Sequence, residues 1–401
     1  MPAVDLAVVG AGPAGSAAAI TAARRGRSVV LIDRAMFPRD KCCGDGLTTG
    51  ALRELEGLGL RADVMASWHD IAAAWIRSPS GRTVEFPLPA NAGRFAAVTR
   101  RIDLDNALLE RARHEGTKIV DGHAVTGVDI TDQRHVTLTL AGADPIRAAA
   151  VIAADGMWSP VRRIVGLSDP NGLGQWHAFR QYFTNVTGSA ADRLWIWLER
   201  DLLPGYAWSF PLGGGVANVG FGVLRDGRTP TGRLKSLWAE LLERSHIVDT
   251  LGPGALAEAP HRAWPIPAQI NRAVLGRGRV LFVGDAAAAS DPLTGEGIGQ
   301  ALLTGRLAAA ALLETKNPEI ALAAYQRSVA RHLVADHHMS LALGWVLRRD
   351  WGARGAVRLA GLTPWTRENF ARWMFEDEPR AIIFTPRRWH RGFLERPGAQ
   401  L

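Results

Sequence analysis

Cysteine is nearly absent from this 401-residue chain, and the two that occur, Cys42 and Cys43, are adjacent. Neighbouring cysteines rarely pair, and no third is present, so a disulfide framework is excluded and a reducing compartment is expected. No run comes near the roughly 20 uninterrupted apolar residues of a membrane-spanning helix. The first residues lack a basic segment followed by a cleavable apolar stretch, and Met1 leads almost directly into an apolar run. A cytoplasmic, untargeted chain is the expectation. Metal-ligand spacing is missing too, so no metal is expected. Recognised nucleic-acid modules, internal repeats and low-complexity segments are also missing.

What is present is an ordinary globular balance, 47% hydrophobic and 21% charged, with length enough for two or three domains. The formal charge is +8. It is carried mainly by arginines scattered along the chain. That pattern fits compositional bias, and it also fits attraction to an anionic dinucleotide, a diphosphate substrate or an anionic membrane surface.

The chain opens with an apolar run, Val4 to Val9, then glycines, an alanine-rich segment and a second apolar run ending at Asp33. Strand, helix, strand is the natural assignment. A helix capped by Thr48 or Thr49 is predicted to about Leu58, and another from Arg101 to Glu115. Lys118 to Leu140 reads as two strands, and Ala148 to Ala154 as a buried one. From about Gly172 to Val223 aromatic and polar residues alternate, as in a half-buried antiparallel sheet. Arg279 to Val283 returns to buried strand, Gly297 to Leu313 to helix, and the last ninety residues look mostly helical. A β-rich insert thus divides α/β sequence.

Gly10-Ala11-Gly12-Pro13-Ala14-Gly15 is a G-x-G-x-x-G turn between strand and helix. Gly10 makes the tight turn, Gly12 lets a pyrophosphate approach the backbone, and Gly15 lets helix and strand pack closely. The helix N-terminus offers N–H groups and partial positive charge. Asp33 stands where a carboxylate can accept from ribose hydroxyls. The turn alone does not separate NAD from FAD.

Two later motifs do. Val280 to Ala287 reads as a buried strand ending in Gly284-Asp285. Asp291-Pro292-Leu293-Thr294-Gly295-Glu296-Gly297-Ile298 then enters a helix. Asp155-Gly156-Met157-Trp158-Ser159-Pro160-Val161-Arg162 is a D-G-x-x-S-x-x-R stretch, and Arg101-x-x-Leu104-Asp105 is a weaker match. With these motifs the chain resembles the flavoprotein superfamily of aromatic hydroxylases, flavin halogenases and geranylgeranyl reductases, from about residue 4 to residue 345. The resemblance implies FAD as cofactor, with Asp285 on the ribityl chain and Gly295 to Ile298 facing the pyrophosphate and ring edge. It places Asp155, Gly156 and Arg162 in cofactor support, and Arg101 toward the adenosine and phosphate side. A second glycine turn in strand context is missing. NAD(P)H binding transiently, or a reduced protein partner, is therefore the expected electron donor.

Phe37-Pro38-Arg39-Asp40-Lys41-Cys42-Cys43-Gly44-Asp45-Gly46-Leu47 resembles a segment of the geranylgeranyl reductase family, with Cys43 on the family cysteine and Cys42 a departure. Pro204-Gly205-Tyr206-Ala207-Trp208-Ser209-Phe210-Pro211 resembles its P-x-x-Y-x-W-x-F-P segment. The resemblance implies reduction of isoprenoid C=C bonds by hydride from reduced FAD, in a slot lined by Tyr206 and Trp208. Cys43, its thiol pKa lowered by Lys41 and Arg39 if it is partly exposed, would then be a plausible proton donor. Arg34, Lys41, Gly44 and Asp45 join the expected cofactor site. Tyr206 and Trp208 fit a sheet core equally well, and Cys43 a small buried residue. A monooxygenase acting on an aromatic substrate uses the same FAD motifs. A halogenase would carry W-x-W-x-I-P where this chain has Tyr206-x-Trp208-x-Phe210-Pro211. A purely electron-transferring flavoprotein is the reading from another class.

The expected fold is α/β, an α+β arrangement of two domains. It comprises a Rossmann-like FAD-binding domain (1–70, 95–170 and 270–345), a β-sheet-rich substrate domain (71–94 and 171–269) and a helical C-terminal region (346–401). Phe370, Trp373 and Met374 share one helical face, either packed as a cap or facing a membrane through which a lipid substrate enters. His177, His261, His337 and His338 are open to reading as bases or as ordinary satisfied residues. Substrate identity and oligomeric state are not legible.

Overall fold

The structure, a computed structural model, describes residues 3–167, 172, 174–225, 231–393 and 395–401. Met1 and the expected boundary at 170 and 171 lie outside the described residues. The strand Val4–Val9 is buried along its last four residues, and Val29–Ile32 throughout. Strands buried on both faces are built for a parallel sheet covered by helices. An eight-stranded sheet forms accordingly. Its parallel centre runs Val280–Phe282, Ala143–Ala153, Val4–Val9, Val29–Ile32, Lys118–Val120.

Register explains why distant motifs meet. Val9 lies opposite both Ile32 and Ala153, and Ala153 opposite Phe282. One residue further, Gly10, Asp33, Ala154 and Val283 leave the sheet together at its carboxyl edge. Open α/β sheets bind ligands at that edge. Lys118 to Leu140 makes three strands, not two. After Lys118–Val120, Gly122 turns with φ of 77°, and a hairpin of Val125–Asp129 and Val136–Leu140 joins the other side of the sheet.

The second sheet also has eight strands. Trp176–Thr184, Val216–Leu224, Tyr206–Gly213 and Leu194–Trp197 form its middle. The hairpin Ala73–Arg77 and Thr83–Pro87 extends one edge, and Leu256–Ala257 and Arg262–Ile266 pair with Trp176–Thr184. A three-stranded sheet of Gly46–Thr48, Ala96–Val98 and His69–Asp70 stands beside them.

Helix Pro13–Ala23 is alanine-rich because both its sides are covered, by the first sheet and by helix Ile298–Glu314. A Cβ on Gly305 would stand 2.0 Å from the Ala14 carbonyl oxygen, so the helices touch backbone to backbone. Helices Ala335–Leu347, Asp350–Ala360 and Pro364–Met374 make up the C-terminal region. Phe370 packs 4.8 Å from the Phe86 ring, and Met374 joins the same cluster. The tail beyond returns to helix Thr49–Gly57: Phe375 accepts from the Thr49 N–H at 2.7 Å, and Arg53 pairs with Asp377. No described helix is long and apolar enough to cross a membrane.

Candidate functional site

A cavity of about 850 Å³ lies between the carboxyl edge of the first sheet and the face of the second. Gly10, Gly12, Pro13 and Ala14 line it from the first turn, and Asp33 and Arg34 from the second strand end. Lys41, Cys43, Gly44, Asp45 and Arg101 line it as well. Asp155 and Gly156 follow the third strand end, Gly284 and Asp285 the fourth. Gly295, Glu296, Gly297 and Ile298 close one side, and Tyr206 and Trp208 face them. Three expected site residues are not on this wall. Gly15 packs into the Gly10 turn, where a Cβ would stand 1.7 Å from the Gly10 carbonyl oxygen. Arg162 donates to the Val274 and Ala286 carbonyls and covers the Phe282 ring. Pro292 offers its carbonyl to the Trp176 indole N–H at 3.1 Å.

Each turn is braced from the wall itself. Asp33 accepts from the Ala11 N–H at 2.7 Å and the Ala35 N–H at 2.9 Å. Asp155 accepts from the Ser159 hydroxyl at 2.6 Å and the Val161 N–H at 2.9 Å, and burial still pushes its carboxyl up to about 6. Asp285 is paired with Lys41 at 3.1 Å. Asp105, fully buried on helix Arg101–His114, clamps two guanidiniums: Arg101 at 2.8 Å on both its oxygens and Arg39 at 2.9 Å. Both arginines face Gly12. A Cβ there would lie 3.6 Å from Arg39 Nη2 and 3.8 Å from Arg101 Nη2.

The two segments that carried the closest resemblance are halves of one contact. Gly44 faces the Trp208 indole, where a Cβ would lie 3.6 Å away, and a Cβ on Gly46 would lie 3.1 Å from Phe210. Glycines flank Asp45 because ring faces occupy the space a side chain would take. Asp45 itself holds φ of 66°. Tyr182 donates to its carboxylate at 2.6 Å and Asn218 at 2.7 Å. Burial pushes Asp45 up to about 6, against those two donors. Asn218 and Arg180 also donate to the Cys43 carbonyl, at 2.9 and 3.3 Å.

Cys43 corrects an expectation. Its thiol is not acidified by neighbouring cations; burial outweighs Arg101 and raises it, so the neutral thiol is held. Tyr206 donates to the Thr294 carbonyl, and the Trp208 indole N–H to Asn218 at 3.1 Å.

Residues that the sequence reading did not assign include Arg39, Asp105, Asn218, Tyr182, Glu376 and Arg380. Arg39 lay inside a quoted motif. Asp105 was signalled by its i+4 spacing from Arg101 on an inward helix face. The others reach the site from distant positions and carry no local signal.

The wall suits a flavin dinucleotide. Helices Pro13–Ala23 and Ile298–Glu314 both begin on it with a glycine N-cap, so that backbone can approach an anion at each helix N-terminus, although Glu296 already takes the Gly299 N–H. Two arginines stand at the first turn, and apolar and aromatic residues continue beyond.

Residues 3–337 match the family described as FAD binding domain. The chain is 38% identical over 330 residues to menaquinone reductase of Mycolicibacterium smegmatis, covering 76% of this chain and 75% of that protein. It is 32% identical over 320 residues to digeranylgeranylglycerophospholipid reductase of Methanosarcina acetivorans, covering 77% and 75%. A geranylgeranyl bacteriochlorophyll reductase-like protein from Thermoplasma acidophilum has the same fold, with a TM-score of 0.81 at 23% identity over 97% of this chain and 100% of that one. Motifs that converge on one cavity, a family match across most of the chain and relatives that span three quarters of it agree: this protein belongs to the geranylgeranyl reductase family of FAD-dependent oxidoreductases.

Proposed function

We propose that this oxidoreductase reduces carbon–carbon double bonds in the isoprenoid part of a hydrophobic lipid or quinone. One observation carries the reading: a single cavity is lined by glycine turns and arginines on one part of its wall and by apolar side chains on another. Leu194, Ile196, Trp208, Phe210, Met374 and Phe375 form the apolar part. Such a slot takes a flexible hydrocarbon chain by area burial, while polar groups fix the reacting end. The named relatives are a menaquinone reductase and a digeranylgeranylglycerophospholipid reductase, which supports a lipid or quinone substrate here.

Gly10, Gly12, Pro13 and Ala14, with Arg39 and Arg101, would hold the FAD pyrophosphate, and Asp33 and Arg34 its adenosine side. Asp285, Gly295, Glu296, Gly297 and Ile298 would hold the ribityl and ring side, with Lys41, Gly44 and Asp45 closing the loop. When bound and reduced, the cofactor supplies hydride. Asp155, Gly156 and Gly284 shape the turns, while Gly15, Arg162 and Pro292 support from behind the wall. Cys43, Tyr206 and Trp208 flank the reacting end and keep it dry. In this reading residues 1–70, 95–170 and 270–345 serve the cofactor, 71–94 and 171–269 the substrate, and 346–401 cap the slot. NAD(P)H or a reduced protein partner supplies electrons.

The C-terminal helices present the surface through which a lipid would arrive. Trp345, Trp351, Trp365 and Trp389 are 63–68% exposed, and Leu359, Leu362, Ile383 and Phe384 are exposed beside them. Residues 341–401 carry eleven arginines against six acids. Exposed tryptophans among arginines suit peripheral contact with an anionic membrane. This is a different set from Phe370 and Trp373. Phe370 packs inward on Phe86, and Trp373 lies beneath Arg380, donating to its carbonyl at 3.3 Å.

The deciding experiment is anaerobic incubation of chemically reduced, FAD-loaded protein with prenylated lipids and quinones. Product mass should rise by two hydrogens per double bond as the flavin reoxidises. Failure of every such substrate to reoxidise it would refute the reading.

A further inference from the structure

A second cavity, of about 570 Å³, lies behind the wall of the first. The partition between them is polar. Glu296 faces the main cavity; Asp291, Gln300, Glu376 and Arg380 face the second. Hydrogen bonds cross it. Thr48, on the main cavity, donates to Glu376 Oε2 at 3.2 Å, and Gln300 donates to Glu376 Oε1 at 3.2 Å from the second. Arg380 donates to Glu376 at 3.1 Å and to Thr294, on the main cavity, at 3.3 Å. Glu376 holds φ of 57°, a left-handed conformation that costs a non-glycine residue and recurs at functional positions.

The second cavity is short of hydrogen-bond partners. Gln300 Oε1, His337 Nδ1, Glu378 Oε1 and Arg380 Nη1 are buried there without a hydrogen-bond partner, and Arg380 Nε, also without one, faces Asp291 Oδ2 at 3.5 Å. These four side chains belong to residues no more than 9% exposed. Each orphan is costly unless something bonds to it. Most charged groups around them are matched, Arg53 with Asp377, Arg306 with Glu54 and Arg388 with Asp336, while Arg396 lines the cavity without an ion pair among the described residues. An apolar occupant would leave the orphans unsatisfied. Water meets the requirement.

We propose that the second cavity is a hydrated proton reservoir, and that Glu376 passes protons from it to Glu296 on the wall of the main cavity. The inference rests on the reductase reading above. Reduction of each double bond consumes one hydride, which adds to one carbon, and one proton, which is taken up by the π electron pair at the other. Glu296 gives that proton and becomes carboxylate. Glu376 replaces it and is reprotonated from bulk solvent by proton hopping through the cavity water. Cys43 is the poorer source, because burial makes its thiolate costly to form.

The groups facing the pair are Asp291, Arg380 and Tyr206, with Thr48, Gln300 and the Gly299 N–H as neutral partners. Burial raises both carboxyls; Glu376 adds repulsion on Glu296, and Arg380 only partly offsets the rise. Two carboxylates that repel one another inside the protein share one proton more readily than they carry two charges.

The test is infrared spectroscopy of the FAD-loaded protein at mildly alkaline pH, where Asp45 and Asp155 are ionised. The wild type should show a protonated carboxylic acid band that shifts promptly in D2O. The band should vanish in both Glu296→Gln and Glu376→Gln, since the remaining member ionises once its partner's charge is gone. A wild type without the band, or with one that does not exchange, overturns the proposal even if a variant fails to fold. Loss in only one variant overturns the shared proton. With FAD content intact, Glu376→Gln should slow substrate-driven reoxidation on the order of 100-fold; an unchanged rate overturns the relay. The infrared arm needs no substrate, so it decides the proton pair independently of whether the wild type reduces a double bond.

Discussion

Asn218, in the middle of a strand of the second sheet, donates to the Asp45 carboxylate at 2.7 Å and so ties that sheet to the loop carrying Cys43. The same amide donates to the Cys43 carbonyl at 2.9 Å and accepts from the Trp208 indole at 3.1 Å. Asn218→Leu would strand the buried Trp208 indole N–H and take one of two donors from the Asp45 carboxylate oxygen and from the Cys43 carbonyl. The expected loss is about 1–3 kcal/mol, the cost of an unsatisfied buried group. Denaturant midpoints at constant slope measure it. FAD retention should fall with it, because the loop lines the cofactor cavity.

Asp155 makes stability depend on pH in an unusual direction for a carboxylate. Burial raises it from 3.8 to about 6 despite donors from Ser159 and Val161. Between those values the folded chain keeps a proton that the unfolded chain has lost. Stability from this group is therefore full below pH 3.8, falls as pH rises, and is gone above about 6. Asp45 acts in the same direction. The advantage of wild type over Asp155→Asn should shrink as pH rises through that window and then hold constant. An advantage that grows instead would show Asp155 ionised in the fold.

Local chemistry was legible and long-range chemistry was not. The Gly10 turn, the Thr48 cap and the helix from Arg101 are encoded in a few neighbouring residues, since glycine, a capping hydroxyl and helical periodicity act over one turn. The meeting of Gly10, Asp155 and Gly284 also follows once their strands are paired in one row. By contrast, Glu376 meets Thr48 across more than 300 positions, and Asn218 meets Asp45 across 173. Nothing local announces such pairs. Cys43 shows a further gap: proximity of Lys41 and Arg39 in sequence suggested an acidic thiol, but burial, which only the fold reveals, acts more strongly in the other direction.

Asp105 holds Arg39 and Arg101 in place at the first glycine turn, and it is fully buried while doing so. Asp105→Asn keeps the shape but accepts fewer charge-assisted bonds, so both guanidiniums should loosen. FAD affinity should drop by roughly 10–100-fold, the worth of one or two such bonds at about 1.5–3 kcal/mol each less what asparagine retains. Titration of the apoprotein with FAD, followed by flavin fluorescence, gives the ratio. Unchanged affinity would mean that neither arginine meets the pyrophosphate.

Gly305 tests the backbone contact between helices. A Cβ would sit 2.0 Å from the Ala14 carbonyl oxygen and 2.9 Å from its carbon, neither of which can rotate away. Gly305→Ala should push helix Ile298–Glu314 outward and cost about 1–3 kcal/mol or more by overpacking, outweighing alanine's better helix propensity. Because Ala14 lines the cavity, FAD content should fall as well. Gly232→Ala, where nothing lies within 4 Å, is the matched control and should leave FAD content unchanged.

Exposure divides the aromatic residues of the tail into two groups. Trp351 and Trp365 are exposed on helices that pack side by side, among arginines, whereas Phe370 and Trp373 are turned into the structure. Replacing Trp351 and Trp365 by serine should leave the unfolding midpoint nearly unchanged, since neither side chain is in the core. Co-sedimentation with anionic vesicles should fall several-fold, because each tryptophan withdrawn from the interface forfeits apolar burial. Added salt should weaken wild-type binding further by screening the arginines over about 10 Å at 0.1 M. Phe370→Ala should do the reverse, lowering the midpoint through a cavity beside Phe86 while vesicle binding by the folded fraction persists. Equal sedimentation of wild type and the double serine variant would remove the membrane from the account and leave the cavity mouth to a soluble carrier or a free substrate.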